Sequence, residues 1–311
     1  MKKIVLFLIF LSCLGAVYQF ICEQNRYPAP GKMVDMGGYK FHIKIAGEEH
    51  INGPTVVLEM GGGGSCLHWS LVQPEIAKFA RVVSYDRGGY GWSDASPKIR
   101  TSENIAQELY EVLQRAGIKG PYILVGHSFG GMAVRLFAKK HPKDVTGIVL
   151  VDAVHENQPG IFPPSANWIL KSLEYPLSHS MIKAANFLGV LRIFKVLERP
   201  NNFSKETYRQ MTSNFYTSKF ITAALEEYEY FRKSQQQIKE SGNLGDIPLI
   251  VLSAGKRRVP IEFWEKWQAF QKDLTQKSTR SKQIIAPNSG HKMNQEAPEV
   301  ITQAVKELFP F

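Results

Sequence analysis

Short apolar runs without polar alternation recur along most of this chain. Residues 55–59 (TVVLE), 81–85 (RVVSY), 122–125 (YILV), 147–151 (GIVLV), 249–253 (LIVLS) and 283–286 (QIIA) each have strand length. Strands covered on both faces need this continuous apolar character rather than an in/out alternation. Helical spacings lie between them. Ile105, Leu109, Val112 and Leu113 repeat on one face of a helix predicted over 101–116, and further helices are predicted over 129–140 and 298–308. Two strands, 33–36 and 39–46, flank Gly37-Gly38, a hairpin signal. Alternating strands and helices predict an α/β architecture with a mostly parallel central sheet flanked by helices.

Residues 155–243 break that rhythm. Helices are predicted over 166–173, 181–197, 205–216 and 220–240, with no clear strand. The pattern reads as a helical cap (155–243) inserted into a core made of 26–154 and 244–311. Its aromatics, Trp168, Tyr175, Phe187, Phe194, Phe215, Tyr216 and Phe220, either form the cap's own core or face an apolar ligand.

The first 25 residues form a third regime. Met1-Lys2-Lys3 is followed by eighteen uncharged residues, Ile4 to Ile21. As a helix these extend about 27 Å, the lower edge for crossing a bilayer. The denser part, 4–17, also suits a secretory signal, but Leu14 makes a cut after Ala16 poor, and Phe10-Leu11-Ser12 before Cys13 is a weak lipobox. An uncleaved membrane anchor is the favoured reading, with a cleaved signal and secretion as the alternative. Lys2 and Lys3 would stay in the cytoplasm and the rest of the chain outside it. Residues 24–32, with Pro28 and Pro30, read as a short tether.

Composition adds exclusions. The 311 residues are 44% hydrophobic and 21% charged, enough for a large core and unlike a disordered chain. Three cysteines, Cys13, Cys22 and Cys66, make no disulfide framework, and no metal-ligand spacing occurs. The net charge of +10 invites a nucleic-acid reading, but no stacking motif or nucleic-acid module accompanies it. Residues 256–292 hold nine Lys or Arg against three Asp or Glu, read as a solvated face or an attraction to an anionic membrane surface.

Gly126-His127-Ser128-Phe129-Gly130 fits GxSxG, placed after a buried strand and before a helix, the context such a nucleophile turn requires. Glycines on either side let the chain turn sharply, and the helix N-terminus offers unpaired N–H groups to a developing oxyanion. With this motif the chain resembles the α/β-hydrolase superfamily over roughly residues 32–309. Asp86-Arg87-Gly88-Gly89-Tyr90-Gly91-Trp92-Ser93 is similar to that family's D-x-R-G-x-G-x-S stretch, where Asp86 and Arg87 would be structural. The resemblance implies Ser128 as nucleophile. A serine here argues against haloalkane dehalogenase and epoxide hydrolase chemistry, which use a carboxylate.

The resemblance also assigns the loop after the first parallel strand, Gly61-Gly62-Gly63-Gly64-Ser65, to the oxyanion hole, with Met60 where the family has histidine. The expected donors are the N–H groups of Gly62 and Phe129. His68 and Trp69 just beyond are candidates for the substrate-pocket wall. Ser289-Gly290-His291 matches the loop that carries the family's base, so His291 is the expected general base. His155 is a further candidate lining residue. The family's commonest acid position, near 254–260, has no carboxylate before Glu262. Asp152, ending the strand 147–151, is the expected acid and Glu262 the alternative; the order Ser128, Asp152, His291 fits the family.

These assignments imply a serine hydrolase of esterase/lipase type, cleaving an ester, thioester, lactone or amide of a small molecule with an apolar acyl or alcohol part. No metal, organic cofactor or nucleic acid is implied; a membrane is, through the N-terminus. A non-catalytic ligand-binding or signalling protein, an acyltransferase and a peptidase are the alternatives.

Overall fold

The computed structural model describes residues 2–160, 176–195 and 202–309. Eight strands form one sheet: β1 (Lys32–Asp35), β2 (Lys40–Ala46), β3 (Thr55–Glu59), β4 (Val82–Tyr85), β5 (Tyr122–His127), β6 (Val145–Val151), β7 (Leu249–Ala254) and β8 (Ser281–Ala286). Their order is β1-β2-β4-β3-β5-β6-β7-β8. The strands β4, β3 and β5 to β8 pair in parallel, and β2 is antiparallel to both β1 and β4. The expected hairpin is present. Asp35 pairs with Lys40, and the Asp35 carboxylate accepts the Gly37 and Gly38 N–H groups, which ties the turn.

Unalternated apolar strands have a direct consequence here, because successive residues feed two cores. Leu124 and Val251 face the layer of α3 (Ser102–Arg115), α4 (Gly130–Lys140), α9 (Phe231–Ser241) and α10 (Ile261–Leu274). Ile123 and Val125 face the other layer, where α2 (Gln73–Ala77) contributes Ile76 and α12 (Pro298–Glu307) contributes Ile301 and Val305. Thr101 caps α3 by accepting the Asn104 N–H, and Ile105, Leu109, Val112 and Leu113 are all buried. Each such side chain contributes about 1.5–3 kcal/mol.

Between β6 and β7 the chain leaves the sheet. The described helices there are α5 (Pro176–Phe187), α6 (Val190–Ile193), α7 (Lys205–Phe215), α8 (Ser218–Glu229) and α9. The helices expected over 181–197 and 220–240 are each broken into two. The first break is at Gly189, whose φ of +73° is outside helical space, and the second is at Tyr230. The helix expected over 166–173, with Trp168 and Tyr175, lies outside the described residues. The short helix α11 (Met293–Glu296) precedes α12, and α1 (Lys2–Gln24) is the 23-residue N-terminal helix.

Candidate active site

Ser128 sits between β5 and α4 with φ +51°, a left-handed conformation that a residue with a side chain adopts only when its surroundings enforce it. They do so by main-chain bonds. The Ser128 N–H donates to Val151 (3.1 Å), and its carbonyl accepts the N–H groups of Gly131 and Val154 (both 3.0 Å). The turn thereby presents the hydroxyl above the C-terminal edge of the sheet. Ser128 Oγ lies 3.0 Å from His291 Nε2, and His291 Nδ1 lies 2.6 Å from Asp152 Oδ2.

Asp152 follows β6, also with positive φ (+42°). Burial alone would raise its carboxyl. Hydrogen bonds from His291, Trp267 Nε1 (2.9 Å to Oδ1) and the Ala254 N–H (3.1 Å) outweigh this and hold it below the ordinary carboxylate value. Glu262, the alternative acid, is exposed in the first turn of α10, away from the imidazole's partners and from the cavity lining.

The loop of His291 is braced at several points. Ser289 O accepts the Lys256 N–H (2.9 Å), Glu296 accepts the Gly290 N–H (2.9 Å) and Arg258 Nη2 (3.0 Å), and His127 Nε2 donates to the His291 carbonyl (2.8 Å). His127 therefore sits behind the base. Burial, then the neighbouring His291, lowers its pKa to about 3, so it stays neutral.

The glycine loop after β3 meets the nucleophile turn face to face. A Cβ on Gly61 would come within 2.9 Å of Ser128 Cβ, so only glycine permits this approach. The buried Arg87 shapes the loop from behind. Its guanidinium donates to the carbonyls of Met60 and Gly61 (2.8 Å to the latter) and pairs with Glu59 (2.6 Å) and Glu227 (2.8 Å). The C=O of Gly61 and the N–H of Gly62 belong to one trans peptide and point in opposite directions. Pinning that carbonyl on Arg87 turns the Gly62 N–H away from Arg87. Among the described residues, neither the Gly62 nor the Phe129 N–H has a hydrogen-bond acceptor.

A cavity of about 360 Å³ opens on Ser128 and His291. Its wall is largely apolar: Phe129, Val154, Phe231, Phe263, Trp264 and Trp267 surround the hydroxyl, with Lys256 and Arg258 also on the lining. Gly62 and Phe129 line it as expected. His68 and Trp69 do not. Trp69 is buried in the second core, and His68 is turned inward to accept the Ser65 N–H (3.0 Å), with its pKa lowered by burial to about 4. His155 is also absent from the wall; it stacks on Phe270 and bonds Asp273 (2.8 Å). Among the described residues, the insertion contributes Ala224, Glu227, Tyr228 and Phe231 to the lining, and not Phe187, Phe194, Phe215, Tyr216 or Phe220. Phe215 packs on both Tyr216 and Phe220, and Phe187 and Phe194 are exposed.

Asp86 behaves as the structural residue expected. It accepts from Cys66 N (2.8 Å), Trp92 N (3.2 Å) and His42 Nδ1 (2.8 Å), tying its own loop to strand β2 and to the 3₁₀ turn at Cys66–Trp69.

A family model described as alpha/beta hydrolase fold matches residues 54–298. The chain belongs to the alpha/beta hydrolase fold family. This is a family of hydrolases. The chain is 27% identical over 279 residues to the uncharacterized protein YqjL of Bacillus subtilis, covering 89% of this chain and 91% of that one. Among solved structures, Cfl2 of Burkholderia cenocepacia superposes with a TM-score of 0.70 at 22% identity, covering 90% of this chain and 95% of Cfl2. The epoxide hydrolase CorEH gives 0.65 at 20% identity, covering 89% and 97%. At these identities the two structures speak for the fold alone.

Proposed function

We propose that this alpha/beta hydrolase cleaves an ester, thioester, lactone or amide through an acyl-enzyme, with carboxylic esters the best fit to its esterase/lipase-like site. The observation that carries the reading is the unbroken contact from Ser128 Oγ through His291 to Asp152. His291 Nε2 takes the Ser128 proton as Oγ attacks the carbonyl carbon, and the negative charge passes to the carbonyl oxygen. The Gly62 and Phe129 N–H groups stabilise that oxyanion. When the tetrahedral intermediate collapses, His291 returns the proton to the leaving group. Water, deprotonated by the same imidazole, then attacks the acyl carbon, and as this second intermediate collapses the imidazole returns the proton to Ser128 Oγ and the acid leaves. Asp152 fixes the tautomer with Nδ1–H and stabilises the transient imidazolium. The apolar wall suits a substrate with a hydrocarbon acyl or alcohol part.

The N-terminal helix supports a second part of the proposal. By length and composition α1 suffices to cross a bilayer, and Lys2 and Lys3 favour a cytoplasmic N-terminus. The protein is then membrane-anchored, with its catalytic domain outside the cytoplasm.

A fluorophosphonate probe tests the chemistry. Wild type should be labelled and turn over p-nitrophenyl esters, and folded Ser128→Ala should do neither. A folded wild type that resists the probe and hydrolyses no ester or amide would return the protein to the ligand-binding class.

A further inference from the structure

We propose that α1 and the outer face of α5 and α6 form one membrane-seated surface, so that the helical insertion itself rests in the bilayer interface; the inference rests on the anchor reading above. Residues 2–14 of α1 are all exposed, but its second half is not free. Gly15, Ala16, Gln19, Cys22 and Glu23, spaced as one helical stripe, are partly or fully covered. Gly15 meets the break between α5 and α6 so closely that a Cβ there would lie 2.2 Å from the Leu188 carbonyl oxygen. Gln19, the one buried residue of the helix, donates to the Tyr216 carbonyl and accepts from Arg192 Nε (3.0 Å). Glu23 accepts the Ser218 N–H (2.9 Å) and hydroxyl (2.8 Å).

Length then decides where the insertion sits. The free part, residues 4–14, extends about 16 Å as a helix. A bilayer's hydrocarbon core is about 30 Å thick. A spanning α1 must therefore take residues 15–21 into the membrane as well, about 10 Å of helix. Whatever is bonded along that stretch goes with it. Its polar side chains suit such a place, since Gln19 is satisfied inside the protein as lipid requires. The neighbouring surface suits it too. Among the described side chains, Phe194 (77% exposed), Met181 (67%), Phe187 (63%), Ile193 (56%) and Val190 (36%) are the large apolar ones that α5, α6 and the residue after them turn outward. Residues 176–195 contain Lys183, Arg192 and Lys195 and no Asp or Glu. An apolar face with basic residues and no acid matches an interface of anionic lipids.

The test uses the full chain carrying Cys13→Ala and Cys22→Ala, with one new cysteine bearing an environment-sensitive fluorophore: Leu8→Cys, Phe194→Cys or Lys119→Cys. Lys119 lies in the turn leading into β5, at the edge of the sheet opposite Ser128. In vesicles of equal parts phosphatidylcholine and phosphatidylglycerol, deep nitroxide lipids should quench the Leu8 label. Shallow ones should quench the Phe194 label, and neither should reach Lys119. Gly15→Leu, which wedges α1 off the insertion, should abolish quenching at Phe194 and leave it at Leu8. Quenching at Leu8 without quenching at Phe194 overturns the inference and leaves the anchor standing. So does quenching at Phe194 that survives Gly15→Leu. No quenching at Leu8 overturns the anchor reading and the inference together. A Phe194 label that is shielded in detergent as protein concentration rises, but is never quenched by lipid, assigns this face to a second copy of the chain and overturns the inference.

Discussion

The indole N–H of Trp267 donates across 2.9 Å to Asp152 Oδ1, the carboxylate oxygen that His291 leaves free. Trp267 and His291 also meet edge to face, with ring centroids 5.6 Å apart. The indole thus holds the acid in place on one side and the base on the other. Trp267→Phe keeps an aromatic ring and removes only the donor. Losing one hydrogen bond to a charged group, worth about 1.5–3 kcal/mol, should lower kcat at least about 10-fold. The Asp152 carboxyl, relieved of a donor that lowers it, should titrate higher. Single-turnover kinetics together with carboxyl-selective NMR titration check both. An unchanged kcat would make Trp267 a wall residue only.

The same residue marks where the sequence stopped being legible. Strands β3 to β8 and the helices α3, α4 and α12 were readable because unalternated apolar runs and a regular stripe leave few other folds open. Helix α10 is not among the expected elements, because it lies in the basic stretch 256–292, whose charge points to a solvated face or an attraction to an anionic membrane surface. Its apolar spacing, Phe263, Trp267, Phe270 and Leu274, was present in the sequence and would have revealed it. Ser128, Asp152 and His291, the candidates that the structure brings into contact, are legible through strand ends and loop motifs, which depend on neighbours in the chain. The cavity wall was not, since Glu227, Tyr228 and Phe231 reach it from an insertion whose packing no local pattern encodes. His68 and Trp69 were assigned by nearness in sequence to the glycine loop, but the 3₁₀ turn Cys66–Trp69 turns them inward.

The choice between the two candidate acids is open to a direct measurement. Asp152→Asn should cost about 10⁴-fold in kcat, as in the corresponding protease variant, because the amide can leave the imidazole in the wrong tautomer. Glu262→Gln alters an exposed side chain and should leave kcat within about twofold, the range of substitutions distant from the reacting groups. Steady-state kinetics on one ester decides. A large loss in Glu262→Gln with little in Asp152→Asn would reverse the assignment.

Arg87 joins three parts of the fold: Glu59 at the end of β3, the carbonyls of the glycine loop, and Glu227 on α8. Burial works against its charge, but the two carboxylates raise its pKa well above the ordinary value. Both carboxyls are raised by burial, which their attraction to Arg87 only partly offsets. Arg87→Met would leave both without a counter-charge. Breaking a buried ion pair in this way costs about 3–5 kcal/mol, seen as a lower urea midpoint. Arg87→Lys keeps the charge but not the fork that spans both carbonyls. It should fold, keep KM, and lose about 10²-fold in kcat, the scale for a misplaced oxyanion donor. Equal loss of kcat and stability in Arg87→Lys would mean that the side chain acts on folding alone.

His127 makes the fold sensitive to acid. Burial, then repulsion from His291, lowers its pKa to about 3, whereas in the unfolded chain it titrates near its ordinary value of about 6.5. Between about pH 3 and 6.5 the unfolded chain therefore binds a proton that the native state refuses, and stability falls as pH falls through that window. The effect amounts to a few kcal/mol at its acid end. Asp152 acts in the same direction at lower pH. Its carboxyl is depressed in the fold, so its contribution is present above about pH 3.9 and is lost as pH drops through the folded value. His127→Gln retains an N–H for the His291 carbonyl and cannot be protonated. Its urea midpoint should fall less than that of wild type between about pH 6.5 and 4, with the two curves converging on neither side of that window. Parallel curves for the two proteins would assign the acid sensitivity to other groups.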